Sequence, residues 1–267
     1  LLDTLGENGL TISALNCSGN PLAFQKDWGV TEKTFRLAKL LGVEKIVMMS
    51  GLPAGCPGDK TPVWITTSWP PETQDILDYQ WNEVAIPKWK ELVRMAEDCG
   101  IRQIALENHG MQLVYNPETL FRLREAVGPM VGMNLDPSHL FWMGGDPIEA
   151  ARVLGEQGAL YHVHGKDSRP ERRMAGPNGL LDRPVPRTFV ELRGCGLRPR
   201  LPVVEGVFLH RADGRLRRRH ISGNGGSNHA HAGGPPDLPP GLEGSAGAVT
   251  SHESASVNSP NKSHRRR

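Results

Sequence analysis

The sequence predicts an α/β fold, a parallel sheet covered by helices, and a (β/α)8 barrel fits the pattern better than a generic doubly wound sheet. Three observations carry this. Apolar strand-like segments alternate with helical ones from about Leu10 to His164. The polar loops all follow strand C-termini, where such a barrel gathers its chemistry. Three successive strands end in ligand-type residues: Leu106–Glu107–Asn108–His109, Asn134–Leu135–Asp136–Pro137–Ser138–His139, and His162–Val163–His164–Gly165–Lys166–Asp167. Five strand–helix units alone leave the doubly wound sheet open as the alternative.

The elements follow in order. Leu10–Leu15 reads as a strand, followed by the polar loop Asn16–Pro21. Thr31 is placed to cap a helix over Glu32–Leu41, with Phe35, Ala38 and Leu41 on one face and Gly42 as its stop. Val43–Ser50 is a second strand. The loop that follows it, about Gly51–Pro71, is long for an α/β connection, which marks it as an active-site loop. A helical pattern runs from Glu72 to Cys99, broken near Pro87, and stops at Gly100. Ile101–Glu107 is the third strand. Asn116–Pro117 opens a helix to about Val127, with asparagine as cap and proline at the first helical position. Val131–Asp136 is the fourth strand, Asp146–Pro147 opens a helix to about Glu156, and Ala159–His164 is the fifth strand. Beyond about Pro184 the alternation stops. The expected division is therefore residues 1–183 as the barrel part and 184–267 as a low-complexity Arg/Gly/Pro-rich tail, of which Gly223–Arg267 has too few apolar residues to offset its ordering entropy.

The net charge of +2 conceals an asymmetry. From Arg183 onward there are 14 Lys/Arg against 6 Asp/Glu, whereas the first 182 residues hold 17 against 23. An acidic folded part argues against nucleic acid as substrate, because phosphate backbones want a basic face. No apolar run approaches the ~20 residues of a membrane span. Cys17, Cys56, Cys99 and Cys195 show no CxxC spacing and read as reduced thiols, which points to the cytoplasm. The start Leu1–Leu2–Asp3 carries neither a signal-peptide pattern nor an initiator Met, and reads as a point inside a longer protein.

Glu107, Asp136 and a histidine of the fifth strand form a hard, mixed O/N donor set suited to Mn²⁺, Mg²⁺, Co²⁺ or Zn²⁺. Strand alternation puts His162 and His164 on the same face, so spacing does not choose between them. Blander roles compete: Glu107 as a solvated strand end, Asp136 as a helix cap, the histidines as core residues, Lys166 as a solvated lysine.

Taken together the motifs resemble the sugar phosphate isomerase/epimerase family, the xylose-isomerase-like TIM-barrel group that also includes endonuclease IV-type enzymes. The matching stretches are Ile12–Leu15 with Gly19–Leu22, Ala105–His109, Val114–Leu120, Asn134–Leu140 and His162–Asp167, covering about residues 8–182. The resemblance implies a barrel incomplete at its N-terminus and lacking its last strands. It implies His164 as the metal ligand and Glu107 as both ligand and acid/base, with His109 and His139 on substrate hydroxyls and Lys166 on an anionic group. It implies a metal-dependent sugar isomerase or epimerase that moves a proton next to a carbonyl, acting on a small sugar-like substrate, with homo-oligomerisation left open. Alternatives are an inosose-type dehydratase, an endonuclease IV-like enzyme, or a catalytically inactive fragment. The family often has a histidine where this chain has Ser18, and its fourth metal ligand, a glutamate on the last strand, has no clear counterpart. Val203–Val204–Glu205 mimics that strand, but Arg187–Val207 read one base later, with permitted codons, yields a stretch like the family's closing segment with its Tyr-Gly-His-Asp. The tail is therefore expected to be a frameshift product, and the clusters Arg217–Arg219 and Arg265–Arg267 its by-products. The gene's nucleotide sequence tests this: if no single-base change restores the family frame, the idea fails.

Overall fold

Five parallel strands, β1 Leu15–Cys17, β2 Lys45–Met48, β3 Gln103–Glu107, β4 Val131–Leu135 and β5 Leu160–Val163, pair in that same order. The computed structural model describes residues 1–170, 172–180 and 190–194. A doubly wound sheet reverses its strand order at a switch point. Here each strand adds beside the last, as in a barrel, and the alternative left open by the sequence is set aside. Among the described residues no helix is long and apolar enough to cross a membrane.

One face of the sheet carries the helices. Ile46 and Met48, Ile104 and Leu106, Val131, Met133 and Leu135, and Val163 alternate along their strands and join one apolar core with Phe35, Trp89, Leu92, Leu120, Leu123 and Leu154. The helices that supply these partners are α2 Gln25–Leu41, α4 Ile86–Asp98, α5 Pro117–Val127 and α7 Pro147–Glu156. Leu106 is fully buried, so Leu106→Ala costs about 2–5 kcal/mol. The intervening positions face the other way. Val47, Ala105 and Gly132 stand side by side in register, and above them Glu107, Asn134 and His162 do the same. Gly132 is required there: a Cβ would come within 2.4 Å of the Tyr161 ring. Tyr161 is itself the extra residue of a register shift between β4 and β5, since Met133 pairs with Leu160 but Asn134 with His162.

Most expected elements form, with instructive shifts. The first strand is Leu15–Cys17, later than expected, and a short helix, α1 Leu2–Glu7, precedes it. Thr31 is not a cap. Helix α2 begins at Gln25, and Thr31 lies buried within it, its hydroxyl donating to the Asp27 carbonyl. Gly42 ends that helix at φ 66°, in the left-handed conformation glycine tolerates. The expected break near Pro87 is a π-helix, Tyr79–Ala85, between α3 Glu72–Asp78 and α4. Pro87 has no N–H to give the Glu83 carbonyl, and the wider turn absorbs that loss. Asn116 caps α5 as expected: its side chain accepts from Thr119 N at 2.9 Å while Thr119 reaches back to the Asn116 N–H. Asp146 caps α7.

Beyond β5 the chain adds β6 Lys166–Pro170, α8 Arg172–Asn178 and β7 Val190–Gly194, with β6 and β7 pairing antiparallel. Strand β7 lies where the sequence shows no further alternation, and its antiparallel pairing is no part of that alternation. The rest of the expected tail, with Cys195, Glu205, the arginine clusters and the stretch at 181–189, lies outside the described residues.

Candidate metal centre

Three loops bring the charged residues together. Glu107 closes β3. Asp136 follows β4 and caps the short helix α6 Pro137–Trp142. His164 follows β5 and is tied to the end of β4 by its backbone N–H, which donates to the Leu135 carbonyl at 2.9 Å. Each offers one donor atom, and the three atoms lie within 4.8 Å of one another. His164 Nδ1 stands 3.3 Å from Asp136 Oδ2 and 3.4 Å from Glu107 Oε1. Donors on an octahedral ion with bonds of about 2.1 Å stand roughly 3 Å apart; the two pairs at His164 are close to that, and two carboxylates with one imidazole suit a divalent cation in chemistry. Among the described residues this is the one such group. Of the two histidines the sequence left open, His164 is the one that meets the carboxylates. His162 Nδ1 is instead 2.8 Å from Asn134 Oδ1.

Asp136 divides its work between its two oxygens. Oδ1 accepts from Ser138 N at 2.9 Å and Ser138 Oγ at 2.6 Å, which is the capping role. Oδ2 faces His164, His139 and Lys166. The capping reading is met by one oxygen, and the other is left facing the charged cluster. The Asp136 backbone is held by Asn108, a fully buried residue: Asp136 N donates to Asn108 Oδ1 at 2.6 Å, and Asn108 Nδ2 donates to the Asp136 carbonyl at 2.9 Å. One side-chain amide thus bridges the ends of β3 and β4.

His139, on α6, is 2 % exposed and lies 3.3 Å from Glu107 Oε1 through Nε2. Its other nitrogen accepts from the Trp142 indole at 3.2 Å. An indole N–H only donates, so Nδ1 carries no proton and Nε2–H is the nitrogen turned to the carboxylates. Gly110 makes room for that indole, since a Cβ there would meet it at 2.4 Å. His109 stacks against His139, ring centroids 4.0 Å apart, and its Nδ1 contacts the Gly110 carbonyl. Lys166, on β6, places its ammonium 2.7 Å from Asp136 Oδ2, 3.5 Å from Glu107 Oε1 and 3.1 Å from His139 Nε2.

These neighbours set the charges. Burial would raise the Glu107 carboxyl, but hydrogen bonds from His139 and His164 and the positive charges of His164 and Lys166 outweigh it and hold Glu107 well below the usual carboxylate range. Burial likewise works against a charged His164, yet its hydrogen bonds to Asp136 and Glu107 raise it to about 9. His109 is lowered, first of all by burial.

The residues the sequence reading missed are Asn108, Asn134 and Trp142. Asn134 carried a signal: it lies two residues before Asp136 and so shares its face. Asn108 carried none, since its partner is 28 residues away; Trp142 carried a local one, standing three residues after His139 on the same helical turn. A cavity of about 300 Å³ is walled by Trp64, Trp81, Tyr115 and Arg122 among others, and none of Glu107, Asp136 and His164 lines it.

Comparison with known proteins agrees with this architecture. Residues 1–196 match the profile of a family described as the xylose isomerase-like TIM barrel. Over 184 residues the chain is 62% identical to the uncharacterized protein YfiH of Bacillus subtilis (strain 168), a match that takes in 67% of this chain and 58% of that protein. The chain thus spans under two thirds of that relative's length. Among solved structures, the probable 3-DHS dehydratase AsbF of Bacillus anthracis, involved in petrobactin synthesis, superposes with a TM-score of 0.48 at 18% identity, over 71% of this chain and 64% of that one. A xylose isomerase-like TIM barrel protein from Mycobacterium smegmatis, in complex with magnesium, gives 0.47 at 15% identity, over 78% and 65%.

Proposed function

Since this chain belongs to the xylose isomerase-like TIM-barrel family, we propose that it is built for metal-dependent isomerisation or epimerisation of a small sugar or sugar phosphate. The observation that carries the reading is the convergence of Glu107, Asp136 and His164 from three successive strand ends. These three residues would hold the cation, and Mn²⁺, Mg²⁺, Co²⁺ and Zn²⁺ all suit the donor set. A bound divalent cation supplies polarisation of the substrate carbonyl and stabilisation of the charge that develops on its oxygen. Glu107 is the acid/base. Its neighbours keep it ionised, so it can take the proton beside the carbonyl and return it. His139, with Nε2–H turned inward, orients Glu107 and donates to a substrate hydroxyl. His109 supports it from behind. Lys166 serves an anionic group on the substrate.

In this reading residues 1–183 are the catalytic portion, acting in the cytoplasm, and 184–267 form a frameshifted tail that contributes no ligand. The reading is tested by deuterium exchange. In D₂O with Mn²⁺, a panel of aldoses, ketoses and their phosphates is followed by NMR. Exchange at the carbon next to a carbonyl is expected for at least one member, and Glu107→Gln reduces it by about 10²–10⁴-fold. Loss of water from the substrate instead would assign a dehydratase. No exchange with any member, in a chain that binds Mn²⁺, would overturn proton transfer as the chemistry.

A further inference from the structure

Lys166 occupies a singular position. Its ammonium touches two of the three residues assigned to the cation, 2.7 Å from Asp136 Oδ2 and 3.5 Å from Glu107 Oε1. Its third neighbour, His139 Nε2 at 3.1 Å, offers it nothing. The Trp142 indole occupies Nδ1, so Nε2 bears the proton, and an ammonium has donors only. The lysine is therefore held by the carboxylates alone, against a facing donor. Its side chain is 23% exposed, whereas those of Asp136 and Glu107 are 0% and 8% exposed, so it has a way out and they do not. It enters from β6, outside the five-stranded sheet that carries the other ligands.

We propose that Lys166 is a built-in competitor for the divalent cation, its ammonium bridging Asp136 and Glu107 in the metal-free chain and leaving them when the cation binds. This rests on the metal reading above and adds to it a regulation of the same site. The physical reason is charge. Two buried carboxylates within reach of one another repel unless a cation lies between them. A tethered ammonium supplies that charge at once, keeps the empty site folded, and sets a threshold that a stray monovalent ion does not pass. A divalent ion brings twice the charge and accepts the oxygens in shorter contacts. The same arrangement makes metal-free stability and metal affinity trade against each other through one side chain.

The test uses the full chain and Mn²⁺ as probe, by titration calorimetry, with melting of the metal-free protein measured alongside. Lys166→Met keeps the length of the side chain and removes its charge. It is expected to bind Mn²⁺ at least tenfold more tightly than the wild type and to melt earlier when metal-free. If the wild type binds Mn²⁺ and Lys166→Met binds it equally or more weakly, the competitor role is overturned while the metal site stands. If neither binds, both readings fall. A second measurement needs no variant. Reductive methylation of Lys166 in the wild type, read by mass spectrometry, is expected to speed up when millimolar Mg²⁺ is added. An unchanged or slower rate overturns the displacement.

Discussion

The C-terminal ends of β1 and β2 differ from those of β3, β4 and β5, although all belong to one sheet. At the first pair the polar groups are consumed by backbone. Asn20 accepts from Leu52 N at 2.9 Å and from Ala23 N at 3.2 Å, and donates to the Leu52 carbonyl at 2.8 Å. Ser50 Oγ accepts from Val114 N at 2.9 Å, and the Ser50 carbonyl accepts from the Trp89 indole at 3.0 Å. At the other three the side chains face one another: two carboxylates, two histidines and an ammonium gather with little backbone to spend themselves on. Saturation by backbone marks a structural polar residue, and mutual confrontation of ionisable ones marks a site, where perturbed titration concentrates. Asp136 is the instructive exception, because it belongs to both kinds with one oxygen each.

Perturbations of the two regions should separate accordingly. The largest effect is expected from Asp136→Ala, which removes the cap on α6 and a proposed cation ligand together. Urea unfolding should show a loss of about 1–2 kcal/mol from the cap alone, and calorimetry should show Mn²⁺ binding reduced by two orders of magnitude or more. Retained binding would mean that Asp136 is only a cap. Asn20→Ala should cost about 1–3 kcal/mol, since it strands Leu52 N–H and Ala23 N–H, with Mn²⁺ affinity unchanged; a shift in affinity would show that the two regions are coupled.

A pH dependence is also expected, confined to the β3–β5 end. His164 is raised in the folded metal-free chain to about 9, so its contribution is fully present below the unfolded histidine value of about 6.5 and is lost as pH rises through about 9. Glu107 is depressed, so its contribution is present above the ordinary glutamate value and is lost only in acid. Metal-free stability should therefore fall between about pH 6.5 and 9, and Mn²⁺ should remove much of that slope by claiming His164 in its neutral form. Melting curves across this range, with and without Mn²⁺, check it. A flat metal-free profile would show that the carboxylates do not hold the imidazolium.

Much of this was legible in the chain. Strand and helix periodicity, the Asn116–Pro117 and Asp146–Pro147 starts and the Gly42 stop act over a few residues, and they formed as read. Boundaries were less legible. Thr31 carries the chemistry of a cap, yet tertiary packing carried α2 a further two turns toward Gln25 and buried it. The irregularity near Pro87 was visible, but its form was not, because a π-turn depends on what the helix packs against. Glu107, Asp136 and the pair His162/His164 could be named from strand ends alone, since alternation fixes their face.

By itself, then, the sequence determined the order of elements, the face on which each strand-end residue lies, and the donor chemistry of the set. Only the tertiary structure decided that His164 and not His162 meets the carboxylates, that Asn108 spans two strand ends, that Trp142 dictates which nitrogen of His139 looks inward, and that Lys166 lies between the two acids. The physical reason is reach. Periodicity and capping are written within a turn of helix or a few strand residues, whereas three of these four depend on a register shift at Tyr161 and on contacts between segments that only the fold brings within hydrogen-bond distance. The Trp142–His139 pair, though it lies within one helical turn, acts on the site only because the fold sets that turn against Glu107.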